Sequence, residues 1–598
     1  MARTEEIARP DGAGGVVVEF DVEARMRDGV VLRANLGRPA GEGRWPVILI
    51  RTPYGKDGPL VNFFVDYPST AREGFVVILQ DCRHRFKSGG DGEFEPWVNE
   101  ARDGADSIEW AARLPFSTGD VFTMGTSYNG FVQWAAAVEQ PPSLRAIAPT
   151  QAPGLPRRAL HYRGGVFELG MTSNWYVGVS FDTVMRRHRN DPATMMGALR
   201  KLMADAAALP QGGFEYLPLS RFEALASNNV GGQFFEILAA GGEPTSPTAK
   251  ALTEAQDFSR VTAPALIVAG WYDYFIQGSV EQYTGMRSAA GSAEARERTR
   301  LIVGPWGHGP LFPIIGERNF GIAAAPSGFV PGGLTGETLR FFMEQLADKP
   351  SNVPPVKIFV MGANTWRDEY EWPLARTQVT PWYLSSNGHA NGLTGDGVIG
   401  PEPKASPPDS FSYDPARPVP EHGGNATGII SLAGPRDQRV IEAREDVLVY
   451  TSQPLEEDLE VTGSAIVELW AVSSAVDTDF VVRLVDVQAD GIAYNIAEGV
   501  LRGRHRADPD APGAGPPLTP GEPCLFRIEL TPTSNLFKRG NRLRLDVTSS
   551  CFPRWARNLN IWDQSQAALA DAEIAHQQIL HDALHPSRVL LPVVPADK

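Results

Sequence analysis

Val121-Phe122-Thr123-Met124-Gly125-Thr126-Ser127-Tyr128-Asn129-Gly130 runs straight into the helical pattern of residues 131–138. An apolar run, a hexapeptide bounded by glycines and an apolar helical stretch predict a strand, a sharp turn and a helix. Such a turn lifts a serine hydroxyl clear of the carboxyl edge of a sheet, and glycines allow the tight backbone approach. Ser127 is therefore the candidate nucleophile. The second glycine stands one position later than in the usual G-x-S-x-G elbow, and taken alone the pattern fits an ordinary strand-to-helix turn equally well.

Outward from this turn, apolar runs at 47–50, 75–79, 121–124 and 146–148 alternate with helical patterns such as 99–114. In that stretch Ala101, Ala105, Ile108, Ala111 and Ala112 recur at helical spacing. Strands apolar on both faces that alternate with helices imply a parallel sheet. Before them, 16–22 and 30–36 flank Asp28-Gly29, a pair suited to the positive φ angles of a tight hairpin turn. The alternation stops near residue 150 and resumes at 265–269 and 301–303. The intervening residues, with aromatic and Met-rich stretches at 167–181 and 195–203, predict an inserted helical cap. Beyond residue 350 short strands at 356–361, 465–472, 481–485, 525–530 and 543–547 follow one another without helices, which suggests a sandwich or jelly roll. The proline-rich stretches 401–420 and 508–523 read as loops. The fold class is thus α/β plus all-β: an α/β domain over 1–150 and 254–350, a helical cap over 151–253 and a jelly-roll β domain over 351–598.

The 598 residues are 42% hydrophobic and 21% charged, which suits a large folded core. A net charge of −16 is unfavourable for holding nucleic acid or an anionic membrane, and leaves small neutral or cationic substrates open. Cys82, Cys524 and Cys551 are too scattered for a disulfide framework or a zinc site. Residues 1–15 carry charges and glycines where an export leader needs an apolar stretch of roughly 7 to 15 residues, and every apolar run is strand-sized. The expectation is a cytoplasmic protein, with no metal or organic cofactor, no membrane partner, and a homo-oligomer left open.

A serine hydroxyl is a weak nucleophile near neutral pH and needs a base, normally a histidine oriented by a carboxylate. In α/β-hydrolases the chain order is Ser, acid, His, with both partners on loops after later strands. The run 265–269 leads into Gly270-Trp271-Tyr272-Asp273, and 301–303 into Gly304-Pro305-Trp306-Gly307-His308. Asp273 and His308 are the natural acid and base. Asp182, Asp191, Asp205 and Asp257 follow no strand so directly, and no other histidine combines this order with a strand end. Acyl transfer also needs donors for an oxyanion. The Tyr128 amide supplies one, and the Tyr54 hydroxyl in Arg51-Thr52-Pro53-Tyr54-Gly55-Lys56 is the candidate second; aromatic packing under the cap is its rival role.

These stretches, with Glu95-Pro96-Trp97-Val98-Asn99-Glu100, Asp103-Gly104, Phe359-Val360-Met361-Gly362 and Asp477-Thr478-Asp479-Phe480, resemble the cocaine-esterase-like hydrolases. That group includes X-Pro dipeptidyl-peptidases and α-amino-acid ester hydrolases. The resemblance implies an α/β-hydrolase domain with an inserted helical cap and a C-terminal jelly roll, with Ser127 as nucleophile, Asp273 as acid, His308 as base, and Tyr54 with the Tyr128 amide as oxyanion hole. Two departures stand out. The family's R-G-x-G stretch reads Arg83-His84-Arg85-Phe86 here, so His84 and Phe86 either narrow the pocket or face solvent or the cap. The acids that hold a substrate ammonium close after the catalytic acid are replaced by Tyr274, Phe275, Ile276 and Gln277, leaving Glu168, Asp182 or Asp191 of the cap as substitutes. Trp175, Tyr274, Phe275 and Trp306 are the candidate substrate-binding aromatics. The expected activity is hydrolysis of carboxylic esters with apolar or aromatic acyl groups. The alternatives are an amidase or X-Pro dipeptidyl-peptidase with the same triad, and an inactive binding protein on a hydrolase fold.

Overall fold

The structure, a computed structural model, describes residues 3–7 and 14–595 except 59–65, 242, 244, 310, 329–331, 349–351, 427–432 and 510–513. Runs of aliphatic residues build an eleven-stranded sheet. Its strands are β1 (Arg3–Ile7), β2 (Val16–Arg25), β3 (Val31–Pro39), β4 (Trp45–Thr52), β5 (Val76–Asp81), β6 (Ser117–Thr126), β7 (Leu144–Thr150), β8 (Leu266–Tyr272), β9 (Arg300–Gly307), β10 (Val356–Val360) and β11 (Thr365–Glu369). They lie in the order β1-β2-β3-β5-β4-β6-β7-β8-β9-β10-β11. From β5 to β10 every neighbouring pair is parallel. Every residue of β5, β8 and β9 is buried, as strands covered on both faces must be.

Helix α1 (Glu100–Ala112) lays Gly104, Ala105, Ile108 and Ala111 on this sheet. Gly104 lets it approach α2 (Tyr128–Ala137) closely: a Cβ there would lie 2.6 Å from the Cβ of Ala136. The hairpin between β2 and β3 differs from the expected tight turn. Gly29 alone of the Asp28-Gly29 pair takes a positive φ, 89°, in a longer loop closed by the Met26 N–H on the Val30 carbonyl, with the Asp28 carboxylate accepting the Val30 N–H.

Residues 151–253 are largely helical, led by α3 (Leu169–Arg187). Their own core joins Phe167, Tyr176, Val177, Leu202, Phe222 and Phe234. The Met-rich stretch forms the helix Pro192–Ala208, which buries only Leu202 and leaves Met203 60% exposed.

Two expectations for the last third are corrected. The strand over 356–361 belongs to the first sheet: Leu301, Ile302 and Val303 pair in parallel with Val356, Lys357 and Ile358. The helix α4 (Gly333–Ala347) precedes β10, so β9, α4 and β10 form one more crossover of the α/β pattern. The expected boundary at 350/351 itself lies outside the described residues. Residues 401–420 are not all loop, because Ser406–Tyr413 pairs antiparallel with Ala575–His581. Pro407 and Pro408 are accommodated where the register shifts between Ser406 and Asp409, on a terminal strand of the sheet.

The strands from Gln378–Ser385 onward form a thirteen-stranded, mostly antiparallel sheet. It shares a core with the first: Trp271, Tyr272 and Phe359 pack in one cluster with Leu484, Leu543 and Leu545. The Tyr272 hydroxyl donates to the Asn495 carbonyl at 3.0 Å. All three cysteines are free thiols. Among the described residues no helix is long and apolar enough to cross a membrane, and no cluster of His, Cys, Asp and Glu could hold a metal.

Candidate active site

At the end of β6 the chain turns sharply. Ser127 takes φ 64° and ψ −125°, outside the regions an L-residue favours, and its N–H donates to the Thr150 carbonyl at 2.9 Å. The two glycines do different work. A Cβ at Gly125 would lie 2.6 Å from the Asn129 Cβ, across the turn itself. A Cβ at Gly130 would lie 2.8 Å from the Cβ of Ala152, beyond the end of β7. The close approach falls one residue further along α2 than in the common elbow, which accounts for the displaced glycine.

The loops after β8 and β9 bring their residues to this turn. His308 Nε2 lies 3.0 Å from Ser127 Oγ, and His308 Nδ1 lies 2.9 Å from Asp273 Oδ1. Asp273 is fully buried; its Oδ1 also accepts the Phe275 N–H at 3.2 Å, and its Oδ2 has no hydrogen-bond partner. An imidazole held this way keeps its proton on Nδ1 and presents a bare Nε2 to the hydroxyl. The geometry can turn the serine into a nucleophile and store the proton it gives up.

Of the four aromatics expected to bind substrate, two lie on the imidazole. Tyr274 stacks on His308 at 4.4 Å between ring centroids, and Phe275 meets it edge-on at 5.2 Å. Trp306 does not line the site. Its ring folds back over Gly304, where a Cβ would lie 2.5 Å from it, and its Nε1 donates to the Ala324 carbonyl. It is buried with Phe122, Phe341 and Phe342 in the core beneath the sheet. Sequence proximity to His308 is misleading because Trp306 is still within β9, where successive side chains alternate faces.

The fourth, Trp175 of α3, reaches over the site and donates its indole N–H to the Tyr54 hydroxyl at 3.0 Å. An indole only donates, so Tyr54 accepts there and keeps its own proton for another partner; its hydroxyl also interacts with Ser127. Burial pushes the Tyr54 phenol above its usual range, against those hydrogen bonds and the Arg85 charge, so it remains a donor at neutral pH. Its loop is anchored by the Lys56 N–H, which donates to Asp81 Oδ1 at 2.6 Å. Burial raises Asp81 to about 7.

The Tyr128 amide is the first N–H of α2, one of those a helix leaves without an internal acceptor. The Tyr128 ring is buried beneath Trp175, stacked at 5.6 Å. Its hydroxyl donates to Glu100 and accepts the Trp97 N–H at 2.8 Å, with Trp97 at φ 77°. Glu100 is paired in turn with buried Arg51 at 2.9 Å. The stretch from Glu95 to Glu100 thus buttresses the serine turn from below.

His84 and Phe86 belong to a loop held by the cap. Arg85 donates to the carbonyls of Pro53 and Val179, and Asp182 accepts the Phe86 N–H at 3.0 Å. The His84 ring lies against Gly90 and Gly92, while the Phe86 ring covers Gly55. The three acids proposed for an ammonium are committed elsewhere. Asp182 faces Arg85, Asp191 caps the helix Pro192–Ala208, and Glu168 is paired with Arg163 at 3.1 Å.

Sequence reading missed Asn425. Its amide Nδ2 donates to the carbonyls of Trp271 and Asp273 at 3.1 and 2.8 Å, so the C-terminal half holds the backbone of the acid-bearing loop. The Asn425 N–H is in turn accepted by Glu498, which also pairs with Arg554.

The sequence matches the family described as X-Pro dipeptidyl-peptidase (S15 family) over residues 28–310. Residues 350–590 match the X-Pro dipeptidyl-peptidase C-terminal non-catalytic domain. The chain is 34% identical to cocaine esterase of Rhodococcus sp. (strain MB1 Bresler) over 597 residues, which covers 97% of this chain and 99% of that protein. This chain belongs to the cocaine-esterase-like (CocE/NonD) serine hydrolase family. Two solved structures share the fold of this cocaine-esterase-like hydrolase. An α-amino acid ester hydrolase superposes with a TM-score of 0.77 at 23% identity, covering 97% of this chain and 96% of that one. A CocE/NonD family hydrolase from Staphylococcus aureus gives 0.69 at 19% identity, covering 99% and 97%. Within the cocaine-esterase-like chain the stretch Asp477-Thr478-Asp479 is structural: Asp477 pairs with Arg504 at 2.7 Å and Asp479 with Arg502 at 2.8 Å.

Proposed function

We propose that this chain hydrolyses carboxylic esters of small apolar or aromatic acids through an acyl-enzyme, with Ser127, His308 and Asp273 as its catalytic triad. The continuous line from hydroxyl to imidazole to buried carboxylate, at 3.0 and 2.9 Å, carries the reading. His308 Nε2 takes the Ser127 proton as the oxygen attacks the ester carbonyl. The Tyr54 hydroxyl and the Tyr128 N–H receive the oxyanion, and His308 returns the proton to the departing alcohol. Water activated by the same nitrogen then releases the acid.

Trp175, Tyr274 and Phe275 around the triad favour an uncharged acyl group. No ammonium partner is free among Glu168, Asp182 and Asp191, and a buried unpaired ammonium is costly. That argues for esters over substrates with a free α-amine, such as those of an X-Pro dipeptidyl-peptidase. Turnover of a nitrophenyl ester beside a Gly-Pro anilide tests it: the ester is expected to be the better substrate by kcat/KM, and faster anilide cleavage would reverse the assignment. The helical residues 151–253 serve as a cap, since α3 delivers Trp175 to Tyr54. The C-terminal strands are read as a jelly-roll sandwich starting after β11 rather than at 351.

Tyr54→Phe removes one oxyanion donor and, with it, the acceptor of the Trp175 indole N–H. Its kcat is expected to fall about 10²- to 10³-fold with little change in KM. Steady-state kinetics on the nitrophenyl ester check this, and a loss below about threefold would remove the hydroxyl from the oxyanion hole.

A further inference from the structure

The segment that carries the imidazole has unusual backbone freedom. Gly307 and Gly309 flank His308, Gly309 takes φ 98°, and a Cβ at 309 would meet nothing within 4 Å. Glycines lose the most conformational freedom on ordering, so something must hold this loop in place. The fully buried side chain of Gln151 does so. Its Nε2 donates to the Gly307 carbonyl at 2.6 Å, and its Oε1 accepts the Gly309 N–H at 2.8 Å. One amide grips the backbone on both sides of His308, as an adjoining strand would.

Gln151 is itself fixed to the other two loops. Its N–H donates at 2.6 Å to the carbonyl of Val268 in β8, the strand that leads to Asp273. The preceding residue, Thr150, accepts the Ser127 N–H at 2.9 Å. Gln151 adopts φ 48°, in the left-handed region where a residue with a side chain is uncommon. A strained backbone persists where the surroundings over-determine it, and such sites cluster at active centres.

We propose that Gln151 is a positioning residue that acts through the backbone of His308, locking the base onto the serine and the acid. The inference rests on the triad reading above. Gln151→Met keeps the length of the side chain and removes both hydrogen bonds. Gln151→Glu keeps the acceptor for Gly309 and sets a carboxylate against the Gly307 carbonyl.

Both variants are compared with wild type and Ser127→Ala on the nitrophenyl ester, with active sites counted by a fluorophosphonate and thermal unfolding followed alongside. For Gln151→Met, kcat per labelled site is expected to fall about 10- to 100-fold, because misplacement by about an ångström has that effect. KM should stay within about twofold. A lower Tm with per-site kcat and KM unchanged would mark a merely structural role and overturn the proposal. Failure of Gln151→Met to fold leaves the decision to Gln151→Glu on the same readings. Ester turnover surviving in Ser127→Ala would instead defeat the triad reading, so the two failures are separable.

Discussion

Ser127→Ala is expected to lower kcat on the nitrophenyl ester by about 10⁶-fold and to abolish covalent labelling by a fluorophosphonate, with the protein still folded. The size follows from removing the attacking atom itself. What remains is the oxyanion donors and the aromatic walls, which in comparable sites retain about 10³- to 10⁴-fold over water. The experiment is sharp because the chain holds a second hydroxyl, imidazole and carboxylate in line. Ser406 Oγ lies 2.7 Å from His581 Nδ1, and His581 Nε2 lies 2.8 Å from Asp409 Oδ2. That arrangement binds a turn together rather than arming a nucleophile: Ser406 Oγ accepts the Ser386 N–H, and the Asp409 carboxylate also receives Ser386, Ala390 and Tyr450. It also lies within a paired strand, with Ser406 opposite His581 and no sharp turn to raise the hydroxyl. Label retained in Ser127→Ala and lost in Ser406→Ala would exchange the assignments; the prediction is that Ser406→Ala labels and turns over like wild type.

The central strands were legible because they are covered on both faces, so their runs are apolar and need no alternation to be seen. Most of these strands extend past their apolar runs, as β6 does from Ser117 to Thr126, since ladder hydrogen bonds do not depend on side-chain polarity. The strand over 356–361 was assigned to the wrong sheet because an apolar run reports burial and not its neighbour. Within the site, order along the chain and position after a strand single out Ser127, Asp273 and His308. Trp306 passes the same test of proximity, yet its ring turns away over Gly304. Gln151 and Asn425 carry no local pattern at all. Their partners are backbone carbonyls and N–H groups more than 150 positions distant, and any residue type offers those. The second half of the chain therefore enters the site through Asn425 without a motif to announce it.

Asp273→Asn is expected to lower kcat about 10⁴-fold and to slow fluorophosphonate labelling in parallel, with KM nearly unchanged. The substitution is almost isosteric, so the loss must come from hydrogen-bond polarity and charge. Asp273 Oδ1 accepts from both His308 Nδ1 and the Phe275 N–H. If the asparagine places its NH2 there, it meets the Phe275 donor and forces His308 to accept at Nδ1, which moves the ring proton to Nε2 and leaves nothing to receive the serine proton. If it places its oxygen there, the tautomer is kept, but the NH2 occupies the buried position of Oδ2, which has no partner. In that orientation the imidazolium formed during attack also faces a neutral amide instead of a carboxylate. Both orientations are penalised at once because a single carboxylate oxygen serves two donors. A loss smaller than about tenfold would mean that His308 is oriented chiefly by the clamp on its backbone and by the Tyr274 and Phe275 rings, and that the carboxylate adds little.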